Sequence, residues 1–296
     1  MIRYQHHHCA DGTTITNLPL YNISNDYTMV KLGVNSVLFR DFSFDTAAEH
    51  IAKAGYDGLE IAAIEGMCEH LDLDRWNEQA ADLQGVMDRH DLEWLSTEVA
   101  TLDENRLLPA FEACSELGIP VVNVGPNPVG DFDEDERLEA SIEQLTEMSS
   151  IAAEYGVKLC VKAHVGQPIY NTPTTLQAIE AIDSPGFGID MDPSHIYRAG
   201  EEPEDAVADV VDALGHIHIR DCLGRDAGPG DIQDQACGRG DIDLYAYCES
   251  VVDGGYEGPA CLEVIGADEH SLAEVSIIAA ESYGYLNACL QHLGAR

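Results

Sequence analysis

Lysine is nearly absent from this chain. Four lysines, Lys31, Lys53, Lys158 and Lys162, stand among 296 residues, and with the arginines they make 15 basic residues against 54 acidic ones. The net charge of −39 leaves no basic stripe, which disfavours binding to a phosphate backbone and hence any nucleic-acid partner. The acids are spread along amphipathic segments and not gathered in a tail, so an acidic disordered arm is excluded too. Such a surface resembles a halophile's, where salt screens the self-repulsion. No run of about 18 apolar residues occurs, so no membrane span is expected. The leading MIRYQHHHCADG has no apolar signal core, so a cytoplasmic location is expected. His6, His7 and His8 could form a metal-binding tract, but three histidines in a polar leader read more simply as a mobile end. The nine cysteines are odd in number and include no C-x-x-C pair, which points to reduced thiols and excludes a disulfide framework or a structural zinc site.

Short apolar runs alternate with longer segments of helical period. Strands are expected over 31–37, 58–62, 92–97, 121–125, 158–164, 187–191, 216–220 and 260–265. Helices are expected over 46–54, 76–89, 104–117, 137–155, 174–182, 203–214, 244–252 and 272–290. Eight β-then-α units suffice to close a parallel barrel, so the expected fold is α/β, a single-domain (β/α)8 TIM barrel over 29–296 with an N-terminal extension over 1–28. No G-x-G-x-x-G follows the first strand, which weakens the open dinucleotide-binding sheet. Gly55-Tyr56-Asp57-Gly58 recurs as Gly255-Tyr256-Glu257-Gly258, each a glycine helix stop with a strand directly after it. Residues 221–243 form a long Gly-rich loop, and a long loop in a compact domain is often functional.

In a barrel the chemistry sits at the C-terminal ends of strands. Period two puts Lys162 and His164 on one face of the fifth strand, Asp190 and Asp192 on one face of the sixth, and His216, His218 and Arg220 on one face of the seventh. Glu263 is the charge of the eighth. The aliphatic residues of each strand take the opposite face, so these ionisable groups point toward the barrel axis. Burying so many of them without partners is very costly, and a divalent cation (Mn²⁺, Mg²⁺, Co²⁺ or Zn²⁺) would offset that cost, since Asp, His and Glu suit such an ion. Glu60 and Glu98 on the second and third strands and Asn123 on the fourth are candidate ligands for sugar hydroxyls, or structural partners.

Four segments carry a resemblance. Asp192-Pro193-Ser194-His195 looks like the D-x-x-H segment of the xylose-isomerase-like superfamily. His216-Ile217-His218-Ile219-Arg220-Asp221 looks like its H-x-H strand ending in a basic residue and Asp. Gly238-Arg239-Gly240-Asp241-Ile242-Asp243 looks like its Gly-rich loop, and Leu262-Glu263-Val264 like its last strand. The order of the four is that of the superfamily, and the resemblance covers most of residues 30–290. It implies that Asp192, His218 and Glu263 ligate a metal; His164, on the same strand face as Lys162 and nearer the mouth, could supply a fourth ligand. It also implies that His195 lies near substrate hydroxyls, that Glu263 doubles as acid/base, and that Arg220 and Arg239 hold substrate oxygens, although either arginine could equally form a surface ion pair.

The chain departs from the superfamily at Lys162, which stands where a metal-ligating Glu is expected. Three roles are open to it: an acid/base group with a pKa lowered by burial and a metal, a Schiff-base amine, or a fixed cation pairing with Asp190 or with a substrate carboxylate or phosphate. The resemblance implies a metal-dependent isomerase or epimerase acting through an enediolate on a ketose, aldose or related polyol derivative, with Lys162 and Glu263 as the proton-moving pair. The alternatives are a lyase or dehydratase on the same barrel, and a sugar-acid-binding barrel that has lost metal catalysis. The expected partner is a small sugar or polyol, and a homo-oligomer is expected.

Overall fold

The computed structural model of the chain describes residues 29–226 and 228–296; the extension expected over 1–28, with His6, His7 and His8, lies outside the described residues. The strands are β1 (Lys31–Asn35), β2 (Gly58–Ile64), β3 (Cys68–Glu69), β4 (Glu93–Glu98), β5 (Val121–Val124), β6 (Lys158–Lys162), β7 (Phe187–Met191), β8 (Leu214–Ile219) and β9 (Pro259–Leu262). The α-helices are α1 (Phe44–Ala54), α2 (Trp76–His90), α3 (Glu104–Leu117), α4 (Arg137–Glu154), α5 (Thr172–Ala181), α6 (Pro193–Arg198), α7 (Pro203–Val210), α8 (Leu244–Asp253) and α9 (Leu272–His292). β3 is a short antiparallel addition to β2. The other eight strands pair in parallel, and β1 joins both β2 and β9, so the sheet closes into a (β/α)8 barrel. No helix among the described residues is long and apolar enough to cross a membrane.

Local chemistry places the elements. Ser43 accepts a hydrogen bond from the Thr46 amide to start α1, and Gly55 ends it in the left-handed region at φ 105°, where a side chain would be strained. Phe44, Ala47, Ala48 and Ile51 form the buried stripe of α1, each large apolar side chain contributing about 1.5–3 kcal/mol. Asn171 and Ser271 open α5 and α9 with reciprocal capping boxes, which satisfy the free amides of the first turn.

The strands sort their side chains as period two requires. Val34, Leu59, Ile61, Val122, Leu159, Val161, Ile189, Ile217, Ile219 and Leu262 join the apolar layer beneath the helices. Asn35, Glu60, Ser96, Glu98, Asn123, Lys162, Asp190, His216 and His218 are buried polar groups of the same strands. At the N-terminal end the barrel is filled by Leu95, Cys160, Cys261 and the stem of Lys158, with Gly33, Gly58, Gly188 and Gly215 leaving them room.

Three local differences from the sequence expectation matter for the site. β1 stops at Asn35, whose side chain accepts from the Val37 amide at 2.9 Å and turns Ser36–Phe39 into a 3-10 helix. β6 ends at Lys162, leaving His164 in the following loop. The short helix α6 follows β7 at once: Asp192 caps it, accepting from the Ser194 amide at 2.8 Å, and Pro193 takes the first turn.

A side chain at Gly58 has no room, because a Cβ there would strike the Glu93 carbonyl oxygen and come within 2.8 Å of Leu95 Cγ. Gly58→Ala is therefore expected to cost about 1–3 kcal/mol, read as a lower denaturant midpoint at unchanged m-value. An unshifted midpoint would show that β2 and β4 can separate without loss.

Candidate active site

The barrel's C-terminal mouth opens on a cavity of about 330 Å³ bordered by Glu98, Lys162, His164, His195, Arg198, Arg220 and Glu263 together with loop residues of several βα units. At its floor Lys162 donates to Glu263 Oε1 at 2.6 Å and to Glu98 Oε1 at 3.0 Å. The other Glu98 oxygen accepts from Asn35 Nδ2 at 2.6 Å. Arg220, fully buried, donates from Nε to Ser194 Oγ at 2.8 Å and places Nη2 3.0 Å from Asp192 Oδ2 and Nη1 3.3 Å from Glu263 Oε2. A second layer lies beneath, closed off from solvent. His218 Nε2 faces Glu60 Oε2 at 2.5 Å, and its Nδ1 lies 2.5 Å from Asp190 Oδ2. Asn123 donates to Glu60 Oε1 at 2.6 Å. His216 lies between Asp190 Oδ1 at 3.0 Å and Ser96 Oγ at 2.9 Å.

The electrostatics follow from these neighbours. Burial works to lower the pKa of Lys162, but Glu263 and Glu98 outweigh it, so the ammonium is held charged above its usual range. The acid/base role expected for Lys162 needs a lowered pKa; its contacts with Glu98 and Glu263 favour the fixed-cation role, with these two and not Asp190 as the partners. Burial works to raise Glu263, yet Lys162 and Arg220 hold it ionised, well below the usual carboxylate range. Glu98, with Lys162 on one side but Glu263 and Glu60 close by, is pushed up by burial to about 7. His218 is raised despite burial because Asp190 and Glu60 flank it. Burial, then Arg220, keeps His195 neutral; burial, then Lys162, lowers His164.

His195 Nδ1 faces two donors, the Val165 amide at 3.3 Å and Arg198 Nη2 at 3.0 Å. Its Nε2 faces a third donor, Arg220 Nη2 at 2.9 Å, and lies 3.7 Å from Asp192 Oδ2, so guanidinium groups flank both nitrogens of the ring. His164 stacks on it with ring centroids 3.9 Å apart.

The structure brings together Lys162, Glu263, Glu98, His195, His164 and Arg220 at the cavity. It places Glu60 and Asn123 beneath, bonded to each other. Arg239 stands apart: it pairs with Glu281 of α9, Nε to Oε1 at 2.7 Å, so the ion-pair reading and not the substrate-holding one describes it. Asp192, His218 and Glu263 do not converge as one ligand set, since Arg220 and Lys162 take the carboxylates and His218 turns to Glu60 and Asp190. The sets that do converge, with ligand atoms within 4.8 Å, include Glu60–Glu98–His218 and Asp190–His216–His218. Sequence reasoning missed Ser194, Arg198 and Gln235. The first two were legible in D-P-S-H, a helix start with proline in its first turn, which puts Ser194 and Arg198 on one face. Gln235 was not, because its amide reaches Ile265 and the Gly230 carbonyl across the long loop.

Fold and cavity together define a (β/α)8 barrel with a buried ionic site at the strand ends. The family model of the xylose isomerase-like TIM barrel matches residues 48–283, and the chain belongs to that family. An inosose isomerase of Bacillus licheniformis is 27% identical over 243 residues, 76% of this chain and 85% of that protein. An inosose dehydratase of Mesomycoplasma hyopneumoniae is 22% identical, covering 65% of this chain and 70% of that protein. The crystal structure of the IOLI protein with a binding zinc atom superposes with TM-score 0.73 at 20% identity, over 88% of this chain and 99% of that one.

Removing Lys162 leaves two buried carboxylates without their shared cation. Lys162→Met is expected to destabilise the fold by about 3–5 kcal/mol at pH 8. The deficit should shrink toward pH 5, because Glu98 and Glu263, no longer held down by the ammonium, take up protons there. Denaturant unfolding at both pH values measures this; a deficit independent of pH would reduce Lys162 to a packing role.

Proposed function

We propose that the chain is an isomerase or epimerase that moves a proton at the carbon beside a carbonyl of a sugar- or polyol-derived substrate. The observation that carries this is Glu263: a carboxylate almost wholly buried, facing the cavity, and held ionised by two fixed cations. Such a group, shielded from water, takes a proton from a carbon acid placed against it and returns it to the neighbouring carbon, an isomerisation; an epimerisation needs a second group to return the proton to the opposite face of the same carbon. Lys162 and Arg220 supply positive charge where an enediolate oxygen develops, without reorganising during the reaction. His164, its Nδ1 turned to the Val165 carbonyl, leaves Nε2 for a substrate hydroxyl, and His195, held between Arg198 and Arg220, stacks against it. A small-molecule substrate of this class agrees with the names of the relatives.

A divalent cation belongs to this reading. The buried carboxylates Glu60, Glu98, Asp190, Asp192 and Glu263 face the cations Lys162 and Arg220 and the raised imidazole of His218, so negative charge is in surplus. Asp192 Oδ2 and Glu263 Oε2 are buried with no hydrogen-bond donor aligned on them. Glu60, Glu98 and His218, two carboxylates and an imidazole, suit Mn²⁺, Co²⁺ or Zn²⁺ and would hold the ion. Of the three, Glu98 also borders the cavity, and an ion held there would supply positive charge beneath the reacting end of the substrate.

The metal part is tested by elemental analysis. About one equivalent of ion is expected in the wild type, lost in His218→Ala and kept in Asp192→Ala. Loss in Asp192→Ala would move the ion to the Asp192–His218–Glu263 set, and a wild type that takes up no Mn²⁺ would remove metal from the reading. The reaction is tested by incubating inososes and ketoses in D₂O. Deuterium at carbon with conserved mass is expected, falling about 10²–10⁴-fold in Glu263→Gln. Loss of water from the product would mean the dehydratase chemistry named for one relative, and no exchange with any substrate would overturn the enzymatic reading.

A further inference from the structure

Arg198 departs from the pattern set by the other arginines. In a chain of net charge −39, the other described arginines each have a carboxylate within 4.0 Å: Arg40, Arg75, Arg89, Arg106, Arg137, Arg220, Arg225, Arg239 and Arg296. Arg198 has none among the described residues. Nor is it a loose surface group, for it borders the mouth cavity, and α6 and its neighbours fix its direction. Nε donates to the Ser194 carbonyl at 3.1 Å and Nη2 to His195 Nδ1 at 3.0 Å. Both acceptors are neutral, and Nη1 has no acceptor among the described residues. A fixed guanidinium without a counter-charge, beside a cavity in a molecule with 54 acidic residues, is an arrangement that many nearby substitutions could have neutralised.

The same cavity has a second property that points the same way. Its carboxylates, Glu98 and Glu263, both lie on Lys162 at the floor, and Glu263 also lies beside Arg220. The rim beside Arg198 is formed by the rings of His164 and His195, neither of which is a negative group. The cavity is therefore polarised. Its floor carries the proton-moving carboxylate, already neutralised by cations, and its rim carries a net positive charge.

We propose that the substrate carries an oxyanion, a carboxylate or a phosphate, and that Arg198 binds it at the rim, anchoring the carbon chain with its carbonyl end on Glu263. This deepens the reading of the site as an isomerase or epimerase and rests on it for the direction of the chain. The anion would accept from Arg198 Nη1 in a charge-assisted hydrogen bond. Lysine would supply the charge but not the fork that also holds Ser194 and His195.

The test is calorimetric binding to the full chain of three six-carbon probes: D-gluconate, its neutral counterpart D-glucitol, and D-glucose 6-phosphate. An anionic probe is expected to bind about tenfold or more tighter than glucitol, the worth of one charge-assisted hydrogen bond. That ratio should collapse toward one in Arg198→Gln and recover in part in Arg198→Lys. Preference for gluconate assigns a carboxylate, and preference for glucose 6-phosphate assigns a phosphate. Equal binding of all three probes, failure of both anionic probes to bind, or a preference that survives in Arg198→Gln each overturns the proposal. Deuterium exchange separates the two readings: an Arg198-dependent preference without exchange leaves the anion subsite standing and overturns the isomerase, and exchange without the preference does the reverse.

Discussion

A crowd of carboxylates inside one barrel must be neutralised, and the rest of the site is arranged around how that is done. Lys162 is central because its ammonium spans two of them from different strands. In low dielectric an unpaired charge would protonate or unfold its surroundings, so the ammonium and its acids are mutually obligatory. Arg220 repeats the arrangement one level higher, between Asp192 and Glu263, and Ser194 fixes its angle. The chemistry proposed for Glu263 is a consequence: a carboxylate held by two cations stays ionised where burial alone would protonate it.

The barrel makes that crowding tolerable. Each strand delivers one or two polar groups to the axis while its other face joins the apolar layer under the helices, so the ionic cluster sits inside a closed hydrogen-bonded ring. Small groups at the N-terminal end and charged ones at the C-terminal end divide the axis into a packed base and a reactive mouth. Short local devices then aim the side chains. Asn35 ends β1 and binds Glu98; Asp192 ends β7, starts α6, and so sends His195 and Arg198 over the cavity.

In this chain much of the positive charge at the site is covalent, on Lys162 and Arg220. Covalent cations stand close to carboxylates that the resemblance assigns to a metal, while other donors converge deeper, at Glu60, Glu98 and His218. A metal and a lysine in one cluster need not be exclusive when the acids outnumber the cations. Burial, helped by the acids Glu263 and Glu60, pushes Glu98 up to about 7 even with an ammonium beside it.

Much was readable from residue order alone. Period-two alternation, glycine stops and caps are local signals, so eight strands, their helices and the inward-facing set Lys162, Asp190, Asp192, His218 and Glu263 could be placed without coordinates. The scarcity of lysine marked Lys162 as unusual for the same reason. Partnerships could not be read this way. Lys162 meets Glu98 across 64 residues and Glu263 across 101, and the sign of its pKa shift depends on those distances against the depth of burial. Arg239 sits in a motif that suggests substrate, yet its loop folds back onto α9 and Glu281. Nothing in residue order marks Arg198 as the arginine without a carboxylate within 4.0 Å among the described residues. Sequence determined which groups enter the barrel, because backbone geometry is local; tertiary structure decided which charges meet, because Coulomb energy and desolvation depend on distances that spacing along the chain does not encode.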